Sequence, residues 1–230
     1  MKQYLLDLLS FFYPHYCAGC HTDVLEDDQL ICAACSLQLP YTNFFMHKDN
    51  PVEQTFYGRV SIQEAGSACY FTKSSLLQRI IYELKYKGNK QAGEYLGILL
   101  GKQIMASGRF TDIDVIVPIP LNKRREKKRG YNQSLLIAGQ VAALLHLPVN
   151  TGCIERQVFT DTQTHKGRVS RWENMEGVFT LKDTTMLEGK HILLIDDVLT
   201  TGATLESCSQ ALLSIKDIRI SIATVACAAR

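Results

Sequence analysis

No stretch of this 230-residue chain is apolar for long enough to cross a bilayer as a helix, which takes about 20 residues. The nearest approach, Tyr4 to Tyr13, is short and broken by Asp7, which also spoils it as the core of a secretory signal; it reads as a short packed helix. A membrane span is not expected, and the chain is placed in the cytoplasm. Net charge is nearly absent as well. With 25 basic side chains against 23 acidic ones there is no surface-wide field for a polyanion, so any such binding must be local. Internal repeats and low-complexity tracts are missing, so a solenoid or a linker-like polymer is not expected.

What is present is a hydrophobic content of 46%, enough for a real core, in a chain longer than one small domain. The text past Pro40 is irregular, and a boundary near residue 50 divides a small module (1–50) from a larger domain (51–230). Charge is segregated between them. Residues 1–46 hold Asp7, Asp23, Glu26, Asp27 and Asp28 against Lys2 alone, whereas Lys123, Arg124, Arg125, Lys127, Lys128 and Arg129 crowd one heptapeptide. That crowding reads as a basic loop.

The larger domain alternates strand and helix. Ser67–Thr72 reads as a strand. Leu76, Leu77, Ile80, Ile81 and Leu84 recur at helical spacing up to Gly88, and Ala92, Leu96, Leu99, Leu100 and Ile104 mark a second helix ending at Gly108. Then come a strand at Ile113–Val117, a helix over 132–147 capped by Asn132, and a short strand over 148–151. His191–Ile195 (strand), Ala203–Ser214 (helix) and Ile218–Val225 (strand) complete the pattern. This is an α/β chain with a mainly parallel sheet flanked by helices.

Four of the eight cysteines, Cys17, Cys20, Cys32 and Cys35, form two Cys-x-x-Cys pairs separated by eleven residues. Each pair presents two thiolates, and a hairpin between them brings both to one tetrahedral zinc ion. A redox dithiol would need one pair beside a strand-helix unit instead. Four thiolates close the coordination sphere, so the metal's job is folding or partner docking and not hydrolysis. Cys69, Cys153, Cys208 and Cys227 read as buried small hydrophobes.

The segment Ile192 to Thr204, ILLIDDVLTTGAT, carries the chemistry. An apolar strand ends in two carboxylates, and a hydroxyl-rich turn then enters a helix. Backbone N–H groups at such a helix start converge on a phosphate. Two adjacent acids repel that phosphate, so sugar hydroxyls or a divalent metal must lie between them and the charge. Phosphate plus polyol is the implied ligand.

This segment resembles the 5-phosphoribosyl-1-pyrophosphate (PRPP) motif of the type I phosphoribosyltransferases. The resemblance implies that Asp196 and Asp197 hold ribose and that Thr200, Thr201, Gly202, Ala203 and Thr204 hold the 5-phosphate, with magnesium arriving on PRPP. The turn after the strand ending at Pro118 corresponds to the family's pyrophosphate loop, which makes Leu121, Asn122, Arg125 and Arg129 anion-binding candidates. Together with Arg129-Gly130-Tyr131-Asn132-Gln133 and the cysteine quartet, the chain resembles the ComF family of competence proteins, whose hood over the PRPP site corresponds here to Arg156, Gln163, Arg171 and Asn174.

What the resemblance implies is a type I phosphoribosyltransferase fold with an N-terminal zinc ribbon, PRPP as ligand, and a role in DNA uptake. Single-stranded DNA at the basic loop and proteins of the uptake machinery at the zinc ribbon would be the partners. An active transferase with an amine or base acceptor, and a PRPP-sensing regulator, remain alternatives; no residue stands out as a general base.

Overall fold

The computed structural model describes residues 16–23, 25, 29–157 and 178–228. The helix expected at Tyr4–Tyr13 and the hood positions Gln163, Arg171 and Asn174 lie outside the described residues. A one-turn helix α1 (Ala33–Leu37) follows the first cysteine pair, and the short helix α2 (Pro51–Gln54) is capped by Asn50, whose side chain accepts from Val52 N and Glu53 N. Strand β1 (Ala65–Phe71) leads to helices α3 (Leu76–Tyr86) and α4 (Lys90–Ser107). Ser75 caps the first and Asn89 the second, and Gly88 and Gly108 follow their ends with left-handed backbone.

Strand β2 (Val115–Pro118) is followed by α5 (Lys123–Arg129) and α6 (Gln133–Leu145), the latter capped by Asn132 as its sequence suggests. Two short strands, β3 (Ile154–Arg156) and β4 (Phe179–Leu181), pair antiparallel. The chain closes with β5 (His191–Leu199), α7 (Ala203–Leu212) and β6 (Arg219–Ala228).

The main sheet runs β1-β6-β5-β2, every neighbour parallel. Alternation along β5 divides the core. Leu193 and Ile195 pack with α3, α4 and α6 on one face, while Ile192 and Leu194 pack with α7 and the β3–β4 pair on the other. Helices α4 and α6 approach closely because Gly97 faces the partner backbone; a Cβ there would lie 2.6 Å from the Ile137 carbonyl oxygen. Adjacent strands β2 and β5 thus send their following helices to opposite faces. A crevice opens beyond their C-terminal ends, the usual ligand position in open parallel sheets.

Three expectations are corrected. The heptapeptide 123–129 is a helix and not a loop: Asn122 caps it, Glu126 lies in its first turn, its last three residues are cations, and Gly130 ends it at φ +81°. The strand expected at 148–151 is reduced to one parallel bridge, Val149 to Ile116. Strand β5 continues past Ile195 through the acid pair to Leu199, because Asp196, Val198 and Leu199 stay in register with Thr224, Ala226 and Cys227 of β6.

The core also runs across residue 50. Leu30, Ile31, Cys35 and Leu39 belong to the same buried cluster as Leu77, Ile80 and Ile137. Backbone bonds from Thr42 N to Ala68 O (3.1 Å) and from Tyr70 N to Pro40 O (2.7 Å) tie the segment to β1. Arg109 adds a bond to Glu53 Oε1 at 2.5 Å, a close pair with Glu64, and contacts at 3.4 Å to the carbonyls of Phe44 and Phe45.

Candidate functional site

The four N-terminal thiols come together. All four Sγ atoms lie within 4.8 Å of one another, and Cys20 Sγ to Cys32 Sγ is 3.7 Å, close to the edge of about 3.8 Å that a tetrahedron with 2.3 Å metal–sulfur bonds requires. Gly19 N and Cys32 N donate to Cys17 Sγ at 3.3 and 3.2 Å, the amide-to-sulfur pattern that stabilises a thiolate. Burial pushes the Cys17 thiol up, but hydrogen bonds from the backbone of Cys32, Cys20 and Gly19 outweigh it and hold the group at about 6. Cys35 is pushed up to about 12 by burial and then by its bond to Cys17. The residues fit a tetrahedral soft-metal centre. Gly19 is required sterically, since a Cβ would stand 2.5 Å from Cys35 Sγ.

The second site is a cleft of about 360 Å³ in the β2–β5 crevice. Its floor is Asp196 and Asp197. The Asp196 carboxylate accepts from Ser134 Oγ and from Asp197 N, each at 2.9 Å; burial, then the Asp197 charge, raises it to about 7. Asp197 is buried, not solvent-facing, and its Oδ2 pairs with Lys85 Nζ at 2.9 Å.

At one end the turn 200–202 leads into α7. Gly202 takes φ +82°, and a Cβ there would meet Thr55 Cγ2 at 2.9 Å, so glycine is needed for both reasons. Apart from a long 3.5 Å contact from Ala203 N to Thr201 Oγ1, no side chain caps α7; its start presents backbone donors and the positive end of a helix dipole. Thr200 and Thr204 line the cleft beside it. Thr201, Gly202 and Ala203 form the turn itself, with the Thr201 carbonyl accepting from Arg59 Nη1 at 3.3 Å.

The lining is also cationic. Arg125 and Arg129, one helical turn apart on α5, face the cleft together with Leu121. Asn122 is employed differently, as the cap that accepts from Arg124 N at 2.9 Å. Arg156 reaches the cleft from β3, its guanidinium 5.6 Å from the Phe179 ring centroid. Burial and then the nearby Arg125 work against the Arg156 cation, a cost that an incoming anion would relieve.

Lys85, Gln133 and Ser134 also line the cleft, and of these the sequence marks only Gln133, as the last residue of the Arg129-Gly130-Tyr131-Asn132-Gln133 block. Ser134 directly follows that block in the first turn of α6. Nothing local marks Lys85.

The phosphoribosyl transferase domain family matches residues 131–230, which include α6, the acid pair and the turn 200–202. Among curated proteins, the DNA utilization protein YhgH of Escherichia coli (strain K12) is 31% identical over 140 residues, 60% of this chain and 61% of its own. Competence protein F of Haemophilus influenzae is 32% identical over 110 residues, covering 46% of this chain and 48% of its own. Competence protein ComFC of Bacillus subtilis (strain 168) is 27% identical over 202 residues, 86% of this chain and 77% of its own. These relatives, the phosphoribosyl transferase match and the cysteine cluster agree.

The chain is similar to competence proteins of the ComF type. It pairs a type I phosphoribosyltransferase fold with a four-cysteine cluster of the zinc-ribbon kind. The match spans about three fifths of the length of YhgH. Among the described residues, no helix is long and apolar enough to cross a membrane.

Proposed function

We propose that the chain binds PRPP in the β2–β5 cleft, holds one structural zinc ion on Cys17, Cys20, Cys32 and Cys35, and serves DNA uptake in the cytoplasm. The single observation that carries the PRPP reading is the convergence of two groups in one small cleft: the Asp196–Asp197 pair beside the uncapped start of α7, and Arg125 and Arg129 in the same lining. The acids suit ribose hydroxyls, the α7 start suits the 5-phosphate, and the arginines suit the pyrophosphate. Magnesium fits as part of the ligand and not as a resident ion. Asp197 is committed to Lys85, and the cysteine quartet alone brings three or more ligating side chains together among the described residues. The DNA-uptake role is carried over from the printed names of the competence and DNA utilization relatives, with single-stranded DNA and uptake-machinery proteins as partners.

One observation favours a second reading, transfer of the phosphoribosyl group to an amine or base. Asp196, held at about 7 by burial and by Asp197, is able to take a proton near neutrality. The acceptor nitrogen would bond to the anomeric carbon, the carbon–oxygen bond would break with its electron pair leaving on pyrophosphate, and the acceptor's proton would pass to Asp196. Magnesium on the pyrophosphate would offset the charge of that leaving group. Calorimetric titration with magnesium–PRPP, followed by pyrophosphate release with and without candidate amines and bases, tests both readings. Absence of PRPP binding would sink the first; binding without acceptor-dependent release would sink the second.

A further inference from the structure

Beside the cleft lies a second concavity of about 470 Å³, lined by Lys85, Tyr86, Gly88, Arg125, Lys128 and Arg129. Its lining holds four cations and no carboxylate. Lys85, Arg125 and Arg129 line the cleft as well, so the two spaces share a cationic wall. Among the described residues Arg125, Lys128 and Arg129 make no ion pair, and Arg129 rests 5.4 Å from the Tyr86 ring centroid.

Lys85 is the exception among these cations, because its ammonium is engaged with Asp197. Its side chain is 23% exposed and that of Asp197 10%, so the pair is sheltered from screening. That contact creates a conflict. A ribose diol on the acid pair needs the same carboxylate oxygens as acceptors, and a sugar that displaced Lys85 without offering it another partner would leave an unpaired ammonium among three other cations. A ligand with a multiply charged group on its far side resolves the conflict: the flexible stem of a lysine lets the ammonium turn from Asp197 toward the cationic wall and bind that group there.

We propose that Lys85 is the ligand-discriminating residue of this site, releasing Asp197 to the sugar only when the ligand carries an anionic group such as pyrophosphate on C1, which Lys85 then binds together with Arg125 and Arg129. The inference rests on the PRPP reading and deepens it. The ligand class is a ribose 5-phosphate with a second phosphoryl group on the anomeric carbon. The residue responsible lies on α3, outside both the turn after β2 and the turn 200–202 in sequence.

The test is calorimetric titration of the full chain and of Lys85→Met, which keeps the apolar stem and removes the charge, with magnesium–PRPP and with ribose 5-phosphate. The variant is expected to lose about tenfold or more in PRPP affinity, the scale of one charge-assisted contact, while ribose 5-phosphate binds as well as before or more tightly. Equal losses for both ligands would mean that Lys85 merely props Asp197, and unchanged PRPP affinity would mean that it touches no ligand; either overturns the proposal while leaving PRPP binding intact. Failure of the unaltered chain to bind PRPP would instead bring down the reading beneath it. Should Lys85→Met not fold, acetylation of Lys85 in the unaltered chain, followed by mass spectrometry, gives the same answer. Suppression by PRPP but not by ribose 5-phosphate supports the proposal, and equal suppression by both overturns it.

Discussion

Ser134 Oγ donates to Asp196 Oδ1 at 2.9 Å, joining the start of α6 to the acid pair at the far end of β5. The bond favours the ionised carboxylate, against burial and the Asp197 charge that together raise Asp196 to about 7 from 3.8. The folded protein therefore keeps this proton where the unfolded chain has lost it, and stability should fall as pH rises between about 4 and 7. A carboxylate that accepts sugar hydroxyls must be ionised, so PRPP affinity should rise over the upper part of the same window and level off above about 7. Ser134→Ala should move the midpoint of the affinity profile upward, and Asp196→Asn should flatten it. Calorimetric titrations across pH 5.5 to 8.5 check this, and a Ser134→Ala profile shifted downward would contradict it.

Asp196→Asn should separate stability from binding. Removing a carboxylate that burial disfavours should raise the melting temperature of the ligand-free protein at pH 8 by about 2–4 °C, the scale of 1 kcal/mol in a domain of this size. Asp196→Asn combined with Asp197→Asn should weaken PRPP binding at least tenfold, because two contacts worth about 1.5–3 kcal/mol each are lost. Lys85 loses the charge of its partner in the double variant, but Asp197→Asn keeps an amide oxygen that can accept from Lys85 Nζ, so the fold should survive. Thermal melts and calorimetry distinguish the two effects.

One zinc per chain is expected by elemental analysis of protein purified without added metal. Cys32→Ser should lose it. Because Leu30, Ile31 and Leu39 share a buried cluster with α3, α4 and α6, the loss should not stay local; the whole chain should melt at a lower temperature in one transition. Gly19→Ala should weaken the metal too, since its methyl group would collide with Cys35 Sγ. A separate low-temperature transition for the ribbon would show the two parts to be energetically independent.

Helix α5 divides its cations between two duties. Arg125 and Arg129 face the cleft and Lys128 the adjoining concavity, while Lys123 pairs with Glu155 on β3. That leaves Arg124 and Lys127, both exposed, as the cleanest probes of DNA binding. Arg124→Gln with Lys127→Gln should reduce affinity for labelled single strands and make it less salt-dependent, with PRPP affinity unchanged. Fluorescence anisotropy at two salt concentrations reads both quantities. Unaltered DNA affinity would move the DNA surface off this helix.

The residues alone determined what depends on near neighbours. Two Cys-x-x-Cys knuckles specify a four-cysteine cluster because each pair needs only a short turn, and ILLIDDVLTTGAT specifies strand, acids, hydroxyl-rich turn and helix because all of these are contiguous. The amphipathic spacing of α3 and the caps at Ser75 and Asn132 are local for the same reason. Tertiary structure decided the rest. Which side chains meet across the cleft depends on the sheet order β1-β6-β5-β2, which no local pattern encodes, and that order brings Lys85 to Asp197 and Ser134 to Asp196. It decided that β5 runs on through the acid pair, since pairing with β6 outweighs the poor strand preference of two aspartates. It also decided the β3–β4 pairing, invisible in three-residue strands, and the joining of the ribbon to the main core, because burial is shared among residues that the chain order keeps far apart.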